Sequence, residues 1–172
     1  MFKRKQIIHP SDLPKVERTN INGPCCIKVP NWCKNKLAKY YLYFAHHSGE
    51  NIRMSYANNL FEKWINFKGG VLSISQTIDA YDHLASPEIL INEQEKLIYM
   101  YFHAPSKSKE GEQWTYLAVS KDGINFKQLS EKPIAPFYMR IFNYCGYTYG
   151  MVKGGSIWKS KKSMNSFNFL TN

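Results

Sequence analysis

Long apolar runs are missing from this 172-residue sequence, and so is any sustained helical periodicity. No stretch approaches the roughly 18 apolar residues that a membrane-crossing helix requires, so no transmembrane helix and no membrane partner are expected. The start, Met1 to Pro10, is basic, but its apolar stretch is only Ile7 and Ile8. A secretory signal needs about 7–15 consecutive apolar residues, so none is expected here. Cysteine is sparse: Cys25, Cys26, Cys33 and Cys145 contain no C-x-x-C pair, which excludes a zinc knuckle and a thioredoxin-like motif. Without an export signal a disulfide framework is not expected either, so the thiols read as small buried or half-buried side chains in a reducing cytoplasm. No metal and no cofactor are expected.

Acidic residues are also scarce, 13 against 23 basic ones, for a net charge of +10. A basic balance invites a nucleic-acid reading, so the distribution decides. Lys34, Lys36 and Lys39 fall in one loop, Lys107 and Lys109 in another, and Lys159, Lys161 and Lys162 near the end. No basic helical stripe and no nucleic-acid-binding signature appear, so solvated loops are the expectation and nucleic acid is not. What the chain has is 44% hydrophobic and 15% aromatic residues, enough for the core of one ordinary domain.

Those aromatics recur in a pattern. Lys39–His46 (KYYLYFAH) resembles Lys96–His103 (KLIYMYFH), with a weaker third copy at Gly146–Val152. Each copy is followed by a strand ending near serine, at Ser55, Ser120 and Ser160, and by a turn ending in an aromatic. Each unit also opens with a Pro-led apolar strand, over 23–29, 86–91 and 135–142. Alternating Tyr, Ile, Val and Phe split by Asn-Asn or Asp-Gly turns predict antiparallel blades, and radially repeated blades make a β-propeller. The turn Ser120-Lys121-Asp122-Gly123 reads as structural. The expected organisation is an arm over 1–19 and blade units over about 20–80, 81–134 and 135–172. The fold class is all-β, a five-bladed β-propeller type, incomplete, with about two and a half blades in this chain. An unfinished propeller leaves a blade edge open, so a truncated chain, self-association or a second chain completing the propeller is expected.

Three stretches resemble a known family. Asn20–Pro24 with Ile27–Trp32 and Tyr40–His47 looks like the first blade of glycosidase-like five-bladed propeller proteins. Asp82–Glu88 with Tyr99–His103 is similar to their second blade, and Phe137–Phe142 to the start of their third. The resemblance covers residues 7 to about 170 and corresponds to roughly the N-terminal half of such proteins. It implies kinship with the arabinanase, xylosidase and invertase superfamily, which hydrolyses glycosidic bonds in a central funnel. In arabinanase-like enzymes an Asp before Pro on the first inner strand is the general base. A second Asp before Pro on the next blade tunes the acid. Here those positions hold Gly23 and Ser86, and the acid Glu of such enzymes lies on a later blade, so the usual mechanism does not transfer.

The remaining polar residues near strand starts are the candidates. Glycoside hydrolysis needs two carboxyl groups or an equivalent acid and base, and Asp82 and Glu88 are the only acids near an inner-strand start. The alternatives are a turn cap for Asp82 and an ion pair of Glu88 with Arg53 or Arg140. His46, His47, His83 and His103 read as proton shuttles or sugar ligands, or as packing and loop residues. Asn22, Arg53, Ser86, Tyr138 and Arg140 complete the expected sugar-binding set, with Arg140 suited to a carboxylate or sulfate. Asn22, Asp82, Ser86, Arg140, His46 and His103 are expected to line one polar pocket, with Glu88 deeper along the channel. Trp32, Trp64, Trp114 and Trp158 read as packing. The leading expectation is a glycosidase-like propeller acting on or binding a carbohydrate. A non-catalytic carbohydrate-binding or assembly module, a truncated inactive fragment and a basic scaffold are the rivals.

Overall fold

The computed structural model describes residues 5–15, 20–110, 113–160, 164 and 166–171. Among them there is no α-helix, and 3-10 turns lie at Pro10–Asp12 and Ile74–Gln76. Fourteen strands form three antiparallel sheets. The first holds β1 (Asn22–Lys28), β2 (Tyr40–Ala45), β3 (Asn51–Ala57) and β4 (Ile65–Asn66), with β5 (Leu72–Ser73) on the start of β3. The second repeats it with β6 (Ala85–Asn92), β7 (Leu97–Ala104), β8 (Trp114–Ser120) and β9 (Lys127–Gln128), and β10 (Ala135–Pro136) on the start of β8. The third holds β11 (Arg140–Tyr144), β12 (Tyr147–Met151), β13 (Ile157–Ser160) and β14 (Phe167–Thr171) in simple meander order.

The third sheet also has four strands, with β14 as the fourth. The Pro-led strand expected over 135–142 is broken. Ala135 and Pro136 pair with the second sheet, Tyr138 takes φ +62°, and the inner strand of the third sheet begins only at Arg140. Met139 drives the break by sinking beneath Gly150, where any Cβ would meet its side chain at 2.8 Å.

Alternation explains the layering. On β2, Tyr41, Tyr43 and Ala45 meet Ile98, Met100 and Phe102 of β7 in the core between the first two sheets. The opposite face of β7 presents Tyr99 and Tyr101 to Met139, Val152 and Phe167 of the third sheet. Residues of the expected arm also pack: Leu13 joins Leu42, Phe44 and Trp64, with Ile7 and Ile8 against them, on the far side of the first sheet. Residues 1–4 and 16–19 of that arm, and Lys161 and Lys162, lie outside the described residues.

The Ser120 turn locks the first two sheets together. Ser120 Oγ accepts from the amides of Asp122 and Gly123, and Asp122 Oδ1 accepts from the amides of Ile124 and Asn125. Gly123, at φ +75°, accepts the Tyr43 hydroxyl at 2.7 Å through its carbonyl, and a Cβ there would lie 2.8 Å from that hydroxyl. Burial raises the Asp122 pKa, yet these donated hydrogen bonds outweigh it and pull the carboxyl down to about 2.

Candidate functional site

The inner strands β1, β6 and β11 converge, and their starts border a cavity of about 650 Å³, a size suited to a small ligand. At its floor two strand irregularities touch. Gly23 (φ +54°) and Ser86 (φ +43°) each precede a proline at a strand irregularity, and a Cβ on Gly23 would lie 2.5 Å from the Ser86 Cα. The two positions at which the resembled enzymes carry carboxylates are here packed against each other, leaving no room for a side chain on Gly23.

Asn22, His47, His83, Ser86, His103, Tyr138 and Arg140, all expected at the site, line this cavity. Of the six residues expected to share a pocket, Asn22, Ser86, His103 and Arg140 do, while Asp82 and His46 do not. His46 misses for a reason of register. The β1–β2 pairing sets Asn22 opposite Ala45, and the β6–β7 pairing sets Ala85 opposite His103. The counterpart of His103 is therefore Ala45, one residue earlier than the repeat suggests, and one step along a strand reverses the face. His46 instead shapes a turn, its Nδ1 accepting from the Ser48 amide at 3.1 Å and its carbonyl from the Gly49 amide at 3.2 Å.

Arg53 also stands outside the lining. It is buried at 4% exposure, donates to the carbonyls of Asn20 (2.7 Å) and Ala45 (2.8 Å), and lies over the Phe44 ring, so it braces the entry into β1. The expected acid and base pair is likewise displaced from the lining. Asp82 is exposed on the rim at φ +65° and holds His83 Nδ1 at 2.7 Å. Glu88 lies behind the lining and binds Arg140 Nη1 at 2.5 Å, the ion pair that the sequence offers as its structural alternative. Arg140 Nη1 also donates to the Pro87 carbonyl at 3.3 Å. Burial lowers the Arg140 pKa, but the hydrogen bond and charge of Glu88 overcome this and hold it above the usual arginine value. Cys25, on the neighbouring inner strand, is pushed up to about 11 by burial and by Glu88, which leaves it an unreactive thiol.

His103 is the most buried titratable group in the lining, at 6% exposure. Its ring sits 5.9 Å from Phe137 and 5.2 Å from Tyr138. Burial, with help from His83, Arg140 and His47, lowers its pKa to about 4, so it is a neutral imidazole at physiological pH. The lining includes residues for which the sequence offered no signal: Gln113 ahead of β8, Phe137 in the broken strand, and Met151, Val152 and Lys153 at the end of β12. Two buried acceptors in the lining, Asn22 Oδ1 and Gln113 Oε1, have no hydrogen-bond partner, although Asn22 Nδ2 reaches His47 Nδ1 at 3.2 Å. Among the described residues no cluster of His, Cys, Asp and Glu is arranged to hold a metal ion.

Solved structures with a similar fold include glycoside hydrolases. A β-xylosidase/α-arabinofuranosidase from a compost microbial metagenome, in complex with xylotriose, superposes with a TM-score of 0.68, at 16% identity over 88% of this chain and 58% of its own. The chain has the fold of the family-43 glycoside hydrolase propellers. A thermostable family-43 glycoside hydrolase matches at a TM-score of 0.65, with 19% identity, over 86% of this chain and 50% of its own. A family-43 enzyme from Xanthomonas citri complexed with xylotriose matches at 0.66, with 13% identity, over 86% and 53%. In sequence, an uncharacterized protein of Acanthamoeba polyphaga mimivirus is 33% identical over 163 residues, covering 86% of this chain and 46% of that protein. No family model matches. The chain spans about half the length of the proteins it matches, so it holds an incomplete β-propeller of this fold. No helix among the described residues is long and apolar enough to cross a membrane.

Proposed function

We propose that the cavity where the starts of β1, β6 and β11 converge binds a carbohydrate. One observation carries the reading: Asn22 Oδ1 and Gln113 Oε1 are buried acceptors without partners, both in one cavity. An unmet buried acceptor costs on the order of 1–3 kcal/mol, and sugar hydroxyls are the donors that offset it. Tyr138 and Phe137 supply faces for the apolar side of a sugar ring, and neutral His103 can both donate and accept. The xylotriose complexes of two structural neighbours support the same ligand class.

The role proposed for these residues is binding. Hydrolysis requires two carboxyl groups flanking the anomeric carbon, and neither Asp82 nor Glu88 lines the cavity. Asp82 orients His83 and Glu88 orients Arg140, so both carboxylates act through a neighbour. Titration calorimetry with xylotriose and a panel of neutral and acidic oligosaccharides tests the reading. Saturable heat with at least one sugar, reduced in Gln113→Ala, is the expected result. No heat with any member of the panel overturns it.

A further inference from the structure

Of the two unpartnered acceptors in the cavity, Asn22 Oδ1 belongs to an amide whose other end is held by a histidine. Asn22 Nδ2 lies 3.2 Å from His47 Nδ1, while Oδ1 is left buried in the lining. An amide nitrogen only donates, so His47 Nδ1 accepts here and the ring proton sits on Nε2. The backbone fixes both partners. Asn22 opens β1 opposite Ala45, and His47 follows β2 in the turn that His46 shapes with the amides of Ser48 and Gly49. His47 is itself exposed, so protons reach it from solvent.

We propose that His47 is a positioning residue: neutral, it holds the Asn22 amide with Oδ1 presented to the sugar, and protonated, it turns that amide over and weakens binding. This proposal rests on the carbohydrate reading above. A protonated imidazole carries hydrogen on both ring nitrogens and accepts at neither. His47 Nδ1–H then faces Asn22 Nδ2, donor against donor, and a half-turn of the amide restores the contact by giving Oδ1 to the charged ring. Charge-assisted hydrogen bonds of this kind are roughly twice as strong as neutral ones. The cavity is left with Nδ2, and the sugar hydroxyl that donated to Asn22 must turn its proton into a lining where Arg140 and Lys153 only donate. The other ionisable groups at the cavity are His83 ahead of β6, His103 on β7, Tyr138 and Arg140 at the start of β11, and Lys153 after β12. Tyrosine, arginine and lysine keep one protonation state from about pH 5 to 8, the range in which histidines charge. His103, lowered to about 4, stays neutral there. His83, clasped by Asp82, is the rival source of pH dependence.

The experiment is calorimetry with xylotriose, or with the tightest uncharged sugar of the panel, at about pH 5.5 and about pH 8. The ligand carries no charge, so any pH dependence resides in the protein. Affinity is expected to be about fivefold weaker at the lower pH, the worth of one net hydrogen bond, with circular dichroism confirming the fold at both. His47→Asn places an amide oxygen near the position of Nδ1, where it accepts at either pH. Its affinity is expected to match that of the unsubstituted protein at the higher pH and to lose the pH dependence. His47→Leu removes the acceptor, and affinity about fivefold weaker at both pH values is expected. Equal affinity of the unsubstituted protein at the two pH values overturns the proposal and leaves the carbohydrate reading intact. A pH dependence that persists in His47→Asn and vanishes in His83→Gln also overturns it, assigning the effect to the Asp82–His83 pair. Heteronuclear NMR of the imidazole rings reads the tautomer without ligand. At the higher pH His47 is expected to carry its proton on Nε2, and a proton on Nδ1 overturns the proposal. Absence of heat with every sugar of the panel at both pH values removes the carbohydrate reading itself, and the tautomer then still decides whether His47 holds Asn22.

Discussion

The first two sheets and the third are built to the same strand plan but are buried very differently. β2 and β7 are covered on both faces, and Tyr41, Tyr43, Met100 and Tyr116 retain at most 1% exposure. In the third sheet one face packs on Tyr99 and Tyr101, while Phe142, Tyr144, Tyr147 and Met151 are exposed on the other, with Tyr144 at 67%. Stability is therefore concentrated in the first two sheets, and the third is held mainly by its contact with the second. The cavity straddles that boundary, taking His83, Ser86 and His103 from one side and Arg140, Met151 and Lys153 from the other. Its geometry depends on the docking of the less buried sheet.

The sharpest way to break this contrast is to truncate an aromatic on each side. Tyr43→Ala removes a fully buried ring that also donates to the Gly123 carbonyl, and a loss of about 3–5 kcal/mol is expected. Tyr147→Ala removes a ring that is 53% exposed, and the expected change is about 0.5 kcal/mol. Denaturant titration measures both. Comparable losses in the two variants would show that the third sheet carries as much stability as the first.

The next effect acts at the boundary through pH. The folded-state pKa of His103 is depressed to about 4 against an ordinary value of 6.5. Between these values the unfolded chain binds more protons, so stability rises with pH there. The contribution of neutral His103 is fully present above pH 6.5 and is lost as pH falls through 4. By the linkage relation it amounts to about 3 kcal/mol. In His103→Gln this part of the acid-side decline is expected to vanish, as read from melting temperatures across pH 4–7. An unchanged slope would mean that the histidine is already solvated.

The Glu88–Arg140 pair joins the second sheet to the third directly. Its side chains are 19% and 31% exposed, so solvent screens part of the attraction. A double-mutant cycle with Arg140→Met and Glu88→Gln is expected to give a coupling of about 1–2 kcal/mol, more than a fully exposed pair and less than a fully buried one. A coupling near zero would leave apolar packing and the hydrogen bond from the Tyr101 hydroxyl to the Met164 carbonyl to dock the third sheet.

The same contrast governs what could be read from the sequence. β2 and β7 announce themselves because a strand buried on both faces needs Tyr, Leu, Phe, Ile and Met at nearly every position. The box at Ser120–Asn125 is legible because its hydrogen bonds are local. Register is not local. Matching His46 to His103 by similarity misses by one residue, and only the pairing of β1 with β2 reveals Ala45 as the counterpart. The break at Tyr138 is hidden for a similar reason, since it exists to seat Met139 under Gly150 of another strand. Gln113, Phe137 and Lys153 leave no sequence signal because a cavity between sheets is assembled from segment ends that no periodicity marks. Seven of the eleven expected site residues line the cavity because strand starts in a propeller share one end of the axis.

The smallest expected effect concerns strain at the boundary. Ser86 holds φ +43° and Tyr138 φ +62°, both in the cavity lining, and Asp82 beside it holds φ +65°. Non-glycine residues in the left-handed region carry roughly 1–2 kcal/mol each, and such residues collect at functional sites. Ser86→Gly removes the strain but adds about 0.5–1 kcal/mol of chain entropy to the unfolded state. Its hydroxyl lies close to Gly23, so the substitution also opens space at the floor of the cavity. These terms nearly cancel, and the melting temperature is expected to stay level or rise slightly. Sugar affinity is expected to fall several-fold, because the floor loses both a hydroxyl and its fixed backbone. That combination, stability kept and affinity lost, is the signature of strain retained for binding. A clear loss of stability in Ser86→Gly would instead make the left-handed serine a structural joint between the first two sheets, and the cavity floor a by-product of their packing.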